Sequence, residues 1–186
     1  MEENIFFDTR RLKYRGNNVI IGKTVRIRYP ELVELHDNVI IDDFTYISCG
    51  LVMQEHSFIE SHCTLMGGQE NNIVLGKYSL MCSYTSAHCK IIDFRNALQI
   101  NHNKEKLHYR WNQGIVLKDH VFIGGHSLLY PGVVAEAGAR TGEFTRINQN
   151  LNEWTLYAGS PIKVLGQVDQ QAVLDRLKSF TNEETQ

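Results

Sequence analysis

Eight histidines and four cysteines hold most of the chemical potential of this 186-residue chain. Two of them are adjacent. His88 and Cys89 set an imidazole beside a thiol, the pairing that makes a nucleophile and its base when both face one site. Successive residues of a strand point to opposite faces, so Cys89 reads as a structural residue. A neutral imidazole with a pKa near ~6.5 remains suited to taking a proton at neutral pH. Cys49, Cys63, Cys82 and Cys89 are unevenly spaced, with no C-x-x-C pair. These spacings match no common zinc pattern, and the thiols read as reduced, small apolar residues. A second concentration of chemistry lies at 101–110, Asn-His-Asn-Lys-Glu-Lys-Leu-His-Tyr-Arg. There His102, His108 and Arg110, with Lys104 and Lys106, could meet an acceptor or its phosphates.

The elements that must position these groups follow from composition and repeat. The chain is 42% apolar, and 19 basic against 21 acidic residues leave a net charge of −2. That suits one globular domain with a core and argues against non-specific nucleic-acid binding. No apolar run approaches the ~20 residues of a membrane-spanning helix. The opening Met-Glu-Glu-Asn shows no secretory signal, so a cytoplasmic location is the expectation.

Aliphatic residues recur every six positions at Leu35, Ile41, Ile47, Met53, Ile59 and Leu65, with Val33, Val39, Thr45 and Leu51 two positions earlier in each hexad. The phase then slips and resumes at Leu75 and Met81. It returns at Leu117, Ile123 and Leu129, weakens at Ala135 and Thr141, and recovers at Ile147. A period of six fits neither an amphipathic helix nor a hairpin. It fits a solenoid whose hexads are each one short strand and a corner, three to a coil. Asp, Asn, Gly and Lys between the aliphatic positions suit those corners.

The expected fold is therefore all-β, a parallel β-helix over residues 17–166 with an N-terminal cap at 1–16. An extruded loop at 89–114 lacks the hexad phase, and such long breaks are often functional. Val168, Ala172, Val173, Leu177 and Phe180 follow helical spacing, which predicts a short C-terminal helix within 167–186 closing the open end.

Two longer blocks carry a family resemblance: Lys118-Asp119-His120-Val121-Phe122-Ile123-Gly124-Gly125-His126 with Leu128-Leu129-Tyr130-Pro131-Gly132-Val133, and Trp154 through Leu165 with its Ala158-Gly159-Ser160-Pro161 core. The chain resembles the left-handed β-helix hexapeptide acyltransferases, and among them sugar O-acetyltransferases of the maltose and galactoside type. In that family the catalytic histidine follows T-x-x-H well upstream of the V-W-I-G-G block. Here Thr85-Ser86-Ala87-His88 stands at a comparable distance before Val121.

The resemblance implies direct acyl transfer from acetyl-CoA to a sugar or nucleotide-sugar hydroxyl or amine, in surface polysaccharide biosynthesis. His88 would be general base, and the backbone N–H of Gly125 would face the oxyanion. Gly124, Gly125 and His126 would line the CoA cleft, with Arg146 and Lys163 at its phosphates. The resemblance also implies a homotrimer and no metal.

His36, His56, His62 and His120 read as corner residues, and Asp93 is placed by spacing alone to orient the His88 ring. Three other readings stand beside this one. An antibiotic acetyltransferase shares the architecture. A γ-type carbonic anhydrase would need zinc on three histidines, a spacing that His88, His120 and His126 do not reproduce. A non-catalytic trimeric scaffold would not bind CoA.

Overall fold

The computed structural model describes residues 4–92 and 109–183, and the side chains of 4–92 and 111–180. The chain winds as a parallel β-solenoid with three sides. Side one stacks the strands Ile20–Ile21, Ile40–Ile41, Phe58–Ile59, Leu80–Met81, Phe122–Ile123, Arg140–Thr141 and Thr155–Ala158. Side two stacks Arg26–Ile27, the first halves of Tyr46–Met53 and Thr64–Leu75, then Ser86–His88, Leu128–Leu129 and Arg146–Ile147. Side three runs from Tyr14–Arg15 and Val33–Leu35 through the second halves of the two long strands to Ile115–Leu117 and Val134–Ala135.

The hexad series is the core. Leu35, Ile41, Ile47, Met53, Ile59, Leu65, Leu75, Met81, Leu117, Ile123 and Leu129 are all fully buried, as are Val33, Val39 and Leu51. Each such side chain removed from water stabilises the fold by roughly 1.5–3 kcal/mol before entropy is counted. One coil is three hexads, the step from Ile41 to its partner Ile59 and from Leu129 to its partner Ile147.

Asp, Asn, Gly and Lys fill the corners as expected, at Gly22-Lys23, Asp37-Asn38, Asp42-Asp43, Gly76-Lys77 and Lys118-Asp119, but most corner residues with positive φ are histidines and aromatics. Positive φ is carried by Asn18, Asn38, His56, Tyr78, His120 and Trp154 at one corner and by Phe44, His62, Tyr84, His126 and Phe144 at the next. This left-handed backbone costs a residue with a Cβ about 1–2 kcal/mol. Rings stacked along the solenoid axis offset it. Tyr84 lies 4.6 Å from His62 and 4.8 Å from His126, and His126 lies 4.8 Å from Phe144. The second ladder joins His56 to Tyr78, His120 and Trp154. Gly138 makes room in it, since a Cβ there would sit 2.3 Å from the Trp154 ring.

The C-terminal helix spans Gln170–Glu183, inside the expected stretch. It does not cover the last strand edge. Lys163–Gln167 does, pairing antiparallel with Thr155–Ala158.

The break in the hexad phase is shorter than 89–114. Ala87 pairs with Leu129 and not with a residue one coil further on, so the extra length of chain between them is the excursion. Cys89 is buried in the core, and Gly114 hands the chain back to side three at Ile115. His88-Cys89 before the break and Gly114 after it thus occupy the corner that Ser48-Cys49-Gly50 fills in an earlier coil. The departing and returning legs, Lys90–Ile92 and Tyr109–Asn112, pair antiparallel, and the Gln113 N–H donates to the Cys89 carbonyl at 2.9 Å.

Candidate active site

The slip in the hexad phase lies in the coil next to this excursion, and the two irregularities dock on each other. The slip is the segment Gly67–Asn72 within the Thr64–Leu75 strand. Asn71, nearly buried, donates to the Gly67 carbonyl at 2.8 Å and to the Asn112 side chain at 2.6 Å. Lys90 pairs with Glu70. Both legs of the excursion are thereby fixed to the solenoid.

His88 stands at the root of the first leg, where side two turns into side three. It pairs with Met66, and Ala87 before it points into the core, so the imidazole faces outward. Partial burial holds its pKa below the ordinary histidine value. The ring stays neutral, and therefore basic, further into the acid range than a solvated histidine.

Cys89 points the other way, buried against Cys49 across Gly67. The Cys49 thiol is pushed far up by its hydrogen bond with Cys89 and by burial. Burial raises Cys63 to about 12 and Cys82 to about 11. The same hydrogen bond from Cys49 lowers Cys89, and what withholds Cys89 from any substrate is its complete burial in the core.

Beside His88 the neighbouring coil presents Tyr130, which directly follows Leu129, the partner of Ala87. The Trp111 ring meets Tyr130 edge-on at 6.5 Å and 73°. The Arg146 guanidinium lies over the Tyr130 ring, 4.9 Å from its centroid. Met66, His88, Tyr130, Trp111 and Arg146 thus form one surface at the neck of the excursion. Hexad reasoning misses Tyr130 and Trp111. The available signal for Tyr130 is its place directly after the core hexad residue Leu129, whose partner one coil on is Ile147, next to Arg146, whereas Trp111 falls where no repeat predicts position.

The remaining expected residues lie elsewhere. Gly124, Gly125 and His126 form the corner leading into side two, whereas His88 leaves that side at its far end. A Cβ on Gly125 would sit 3.0 Å from the carbonyl oxygen of Ser83, in the corner that precedes the Ser86–His88 strand. Five positions separate Ser83 from His88, so Gly125 and His88 stand at opposite ends of side two, on the order of 15 Å apart within one chain.

Gly124 packs closely, with its N–H donating to Thr141 at 3.1 Å. His126 has Tyr84 on one face and Phe144 on the other. Arg146 and Lys163 converge on one backbone segment: the Arg146 N–H donates to Gly159, and Lys163 pairs with Ala158. The Arg146 side chain is nevertheless turned toward Tyr130. His102, His108 and Asp93, with Lys104, Lys106 and the Arg110 side chain, lie outside the described residues.

His88, His120 and His126 occupy three different corners of the solenoid. Among the described residues no three His, Cys, Asp or Glu side chains are grouped to hold a metal. A shallow cavity of about 320 Å³, lined by Gln54, Gly76, Lys118, Asp119 and Ala137 among others, sits at the corner between sides three and one, away from His88.

No protein-family model and no curated protein sequence matches the chain. Solved structures do. AntD, an N-acyltransferase from Bacillus cereus in complex with dTDP and 3-hydroxybutyryl-CoA, superposes with a TM-score of 0.86 at 24% identity, covering 98% of this chain and 100% of that one. A single-site variant of AntD, holding dTDP-4-amino-4,6-dideoxyglucose and coenzyme A, gives 0.85 at 25% identity over 97% of this chain and 100% of its own.

The chain has the fold of the hexapeptide-repeat acyltransferases. In this acyltransferase fold the excursion and the coils that flank it carry the side chains that differ most from the plain repeat. His88 sits where they meet.

Proposed function

We propose that this chain is a CoA-dependent acyltransferase whose acceptor is the amine of a nucleotide-linked sugar, with His88 as general base. The observation that carries the reading is the end-to-end likeness to AntD, which was solved with CoA and a dTDP-linked amino sugar together.

Neutral His88 takes the proton of the attacking amine as its nitrogen bonds to the thioester carbonyl. The tetrahedral intermediate then expels the CoA sulfur, and the imidazolium returns the proton to it. The leaving thiolate has a conjugate acid near ~8.5, so the second transfer is downhill from an imidazolium. No covalent intermediate on the chain is needed, in keeping with Cys89 facing the core.

Gly125 keeps its proposed role as oxyanion donor only from a neighbouring copy, given its separation from His88 along side two. A homotrimer supplies that copy and turns the open surface at the neck into a cleft. Side one has a suitable outer row for packing: Ile20, Ile40, Phe58, Leu80, Phe122 and Leu156, interrupted by Arg140. The product class is an N-acylated nucleotide sugar, the kind consumed in building surface polysaccharide.

The test is thiol release from acetyl-CoA against a panel of nucleotide-linked amino sugars and free sugars. Turnover with a dTDP-linked amino sugar is expected. Release with free sugars only, or with no acceptor at all, defeats the proposal.

A further inference from the structure

We infer that Arg146 grips the diphosphate of the acceptor and not a phosphate of CoA. This rests on the nucleotide-linked acceptor proposed above and adds which end of which substrate the guanidinium meets.

Among the described residues no carboxylate lies within ion-pair distance of Arg146, and its side chain is exposed. What holds it is Tyr130, whose ring lies under the guanidinium at 4.9 Å. A guanidinium lying over a ring keeps its planar fork of N–H donors for another acceptor, and that fork matches phosphate oxygens. Tyr130 follows Leu129 as His88 follows Ala87, its strand partner. The charge thus stands about two strand spacings from the base, on the order of 10 Å.

That span decides between the two phosphates. In an amino sugar with its amine across the pyranose ring from the anomeric carbon, one ring and one bridging oxygen separate the nitrogen from the first phosphorus. In CoA the whole pantetheine arm separates the sulfur from the nearest phosphorus. With the amine at His88, only the acceptor's diphosphate comes within reach of Arg146. Trp111, edge-on to Tyr130 and exposed, walls the same surface and offers an apolar ring to the sugar between.

Titration calorimetry of the full chain with dTDP and with CoA separates the alternatives, alongside KM values for both substrates. For Arg146→Ala, the dTDP Kd and the nucleotide-sugar KM are expected to rise about 10- to 100-fold while CoA affinity stays unchanged. Arg146→Lys recovers part of the loss. Tyr130→Leu shifts the same two constants in the same direction. Weakened CoA binding with dTDP untouched, or no shift in either ligand, overturns the inference. Each of those outcomes in a chain that still transfers acyl groups to amino sugars leaves the proposed function standing. A wild-type chain inactive toward all of them removes both.

Discussion

At the scale of single residues, the alternation of one strand separates two reactive side chains. Ala87 and Cys89 face the core and His88 faces out, so no thiol shares the imidazole's side of the strand. His88→Asn should lower kcat by up to ~10²-fold with an amine acceptor and leave CoA affinity intact, because a base contributes ~10²–10⁴-fold and an amine needs it less than a hydroxyl. Cys89→Ala should keep kcat near wild type, which steady-state assays of the purified variant check.

The pH dependence has a definite sign. Burial lowers the His88 pKa, so the basic form persists below pH ~6.5, and the acid limb of kcat falls at lower pH than an ordinary histidine dictates. Between its folded and unfolded pKa values the unfolded chain binds the proton better, so this histidine costs stability as pH drops through that window and nothing above it. His88 is legible from Thr85-Ser86-Ala87-His88 and its distance to the Val121 block. The company it keeps is not. Tyr130 lies more than two coils further along the chain, in a register fixed only by the net length of the excursion.

At the scale of elements, the hexads define the coils and the outer boundary of the irregular segment, but chain order alone does not show where a coil ends and an insertion begins. Cys89 looks like loop by phase and is core by burial. Within the corners only the positive-φ position departs from propensity: it favours Asn and Gly, while here ring-on-ring stacking carries histidines and aromatics into it. Tyr84→Ala should cost about 1–2 kcal/mol in chemical denaturation, since it breaks the stack on both faces at an exposed position.

Gly67 is tighter still. A Cβ there would lie 2.9 Å from that of Cys89 and 3.0 Å from that of Cys49. Gly67→Ala is therefore expected to cost about 1–3 kcal/mol by overpacking, and to lower kcat by displacing the strand that carries His88. Removing residues 90–113 joins Cys89 to Gly114 in the frame of Ser48-Cys49-Gly50. That variant should fold with native far-ultraviolet dichroism and transfer no acyl group.

At the scale of the whole molecule, side one carries its apolar outer row between two ladders of rings, and Arg140 is the charged member of that row. Arg140 lies 5.8 Å over Phe122, its Nε has no hydrogen-bond partner among the described residues, and burial lowers its pKa. Light scattering of the purified chain should give three times the 21.4 kDa of one copy, and Leu80→Asp should reduce it to one. No repeat predicts this outer surface, because hexad phase constrains only the residues that point inward.

The paired legs of the excursion also change what a break in the covalent chain would do. Lys90–Ile92 and Tyr109–Asn112 grip one another, and Asn71 and Glu70 grip both from the coil alongside. A peptide bond cut anywhere between 93 and 108 would leave two fragments that travel as a single particle through a sizing column. They would part only when denaturant dissolves the solenoid itself.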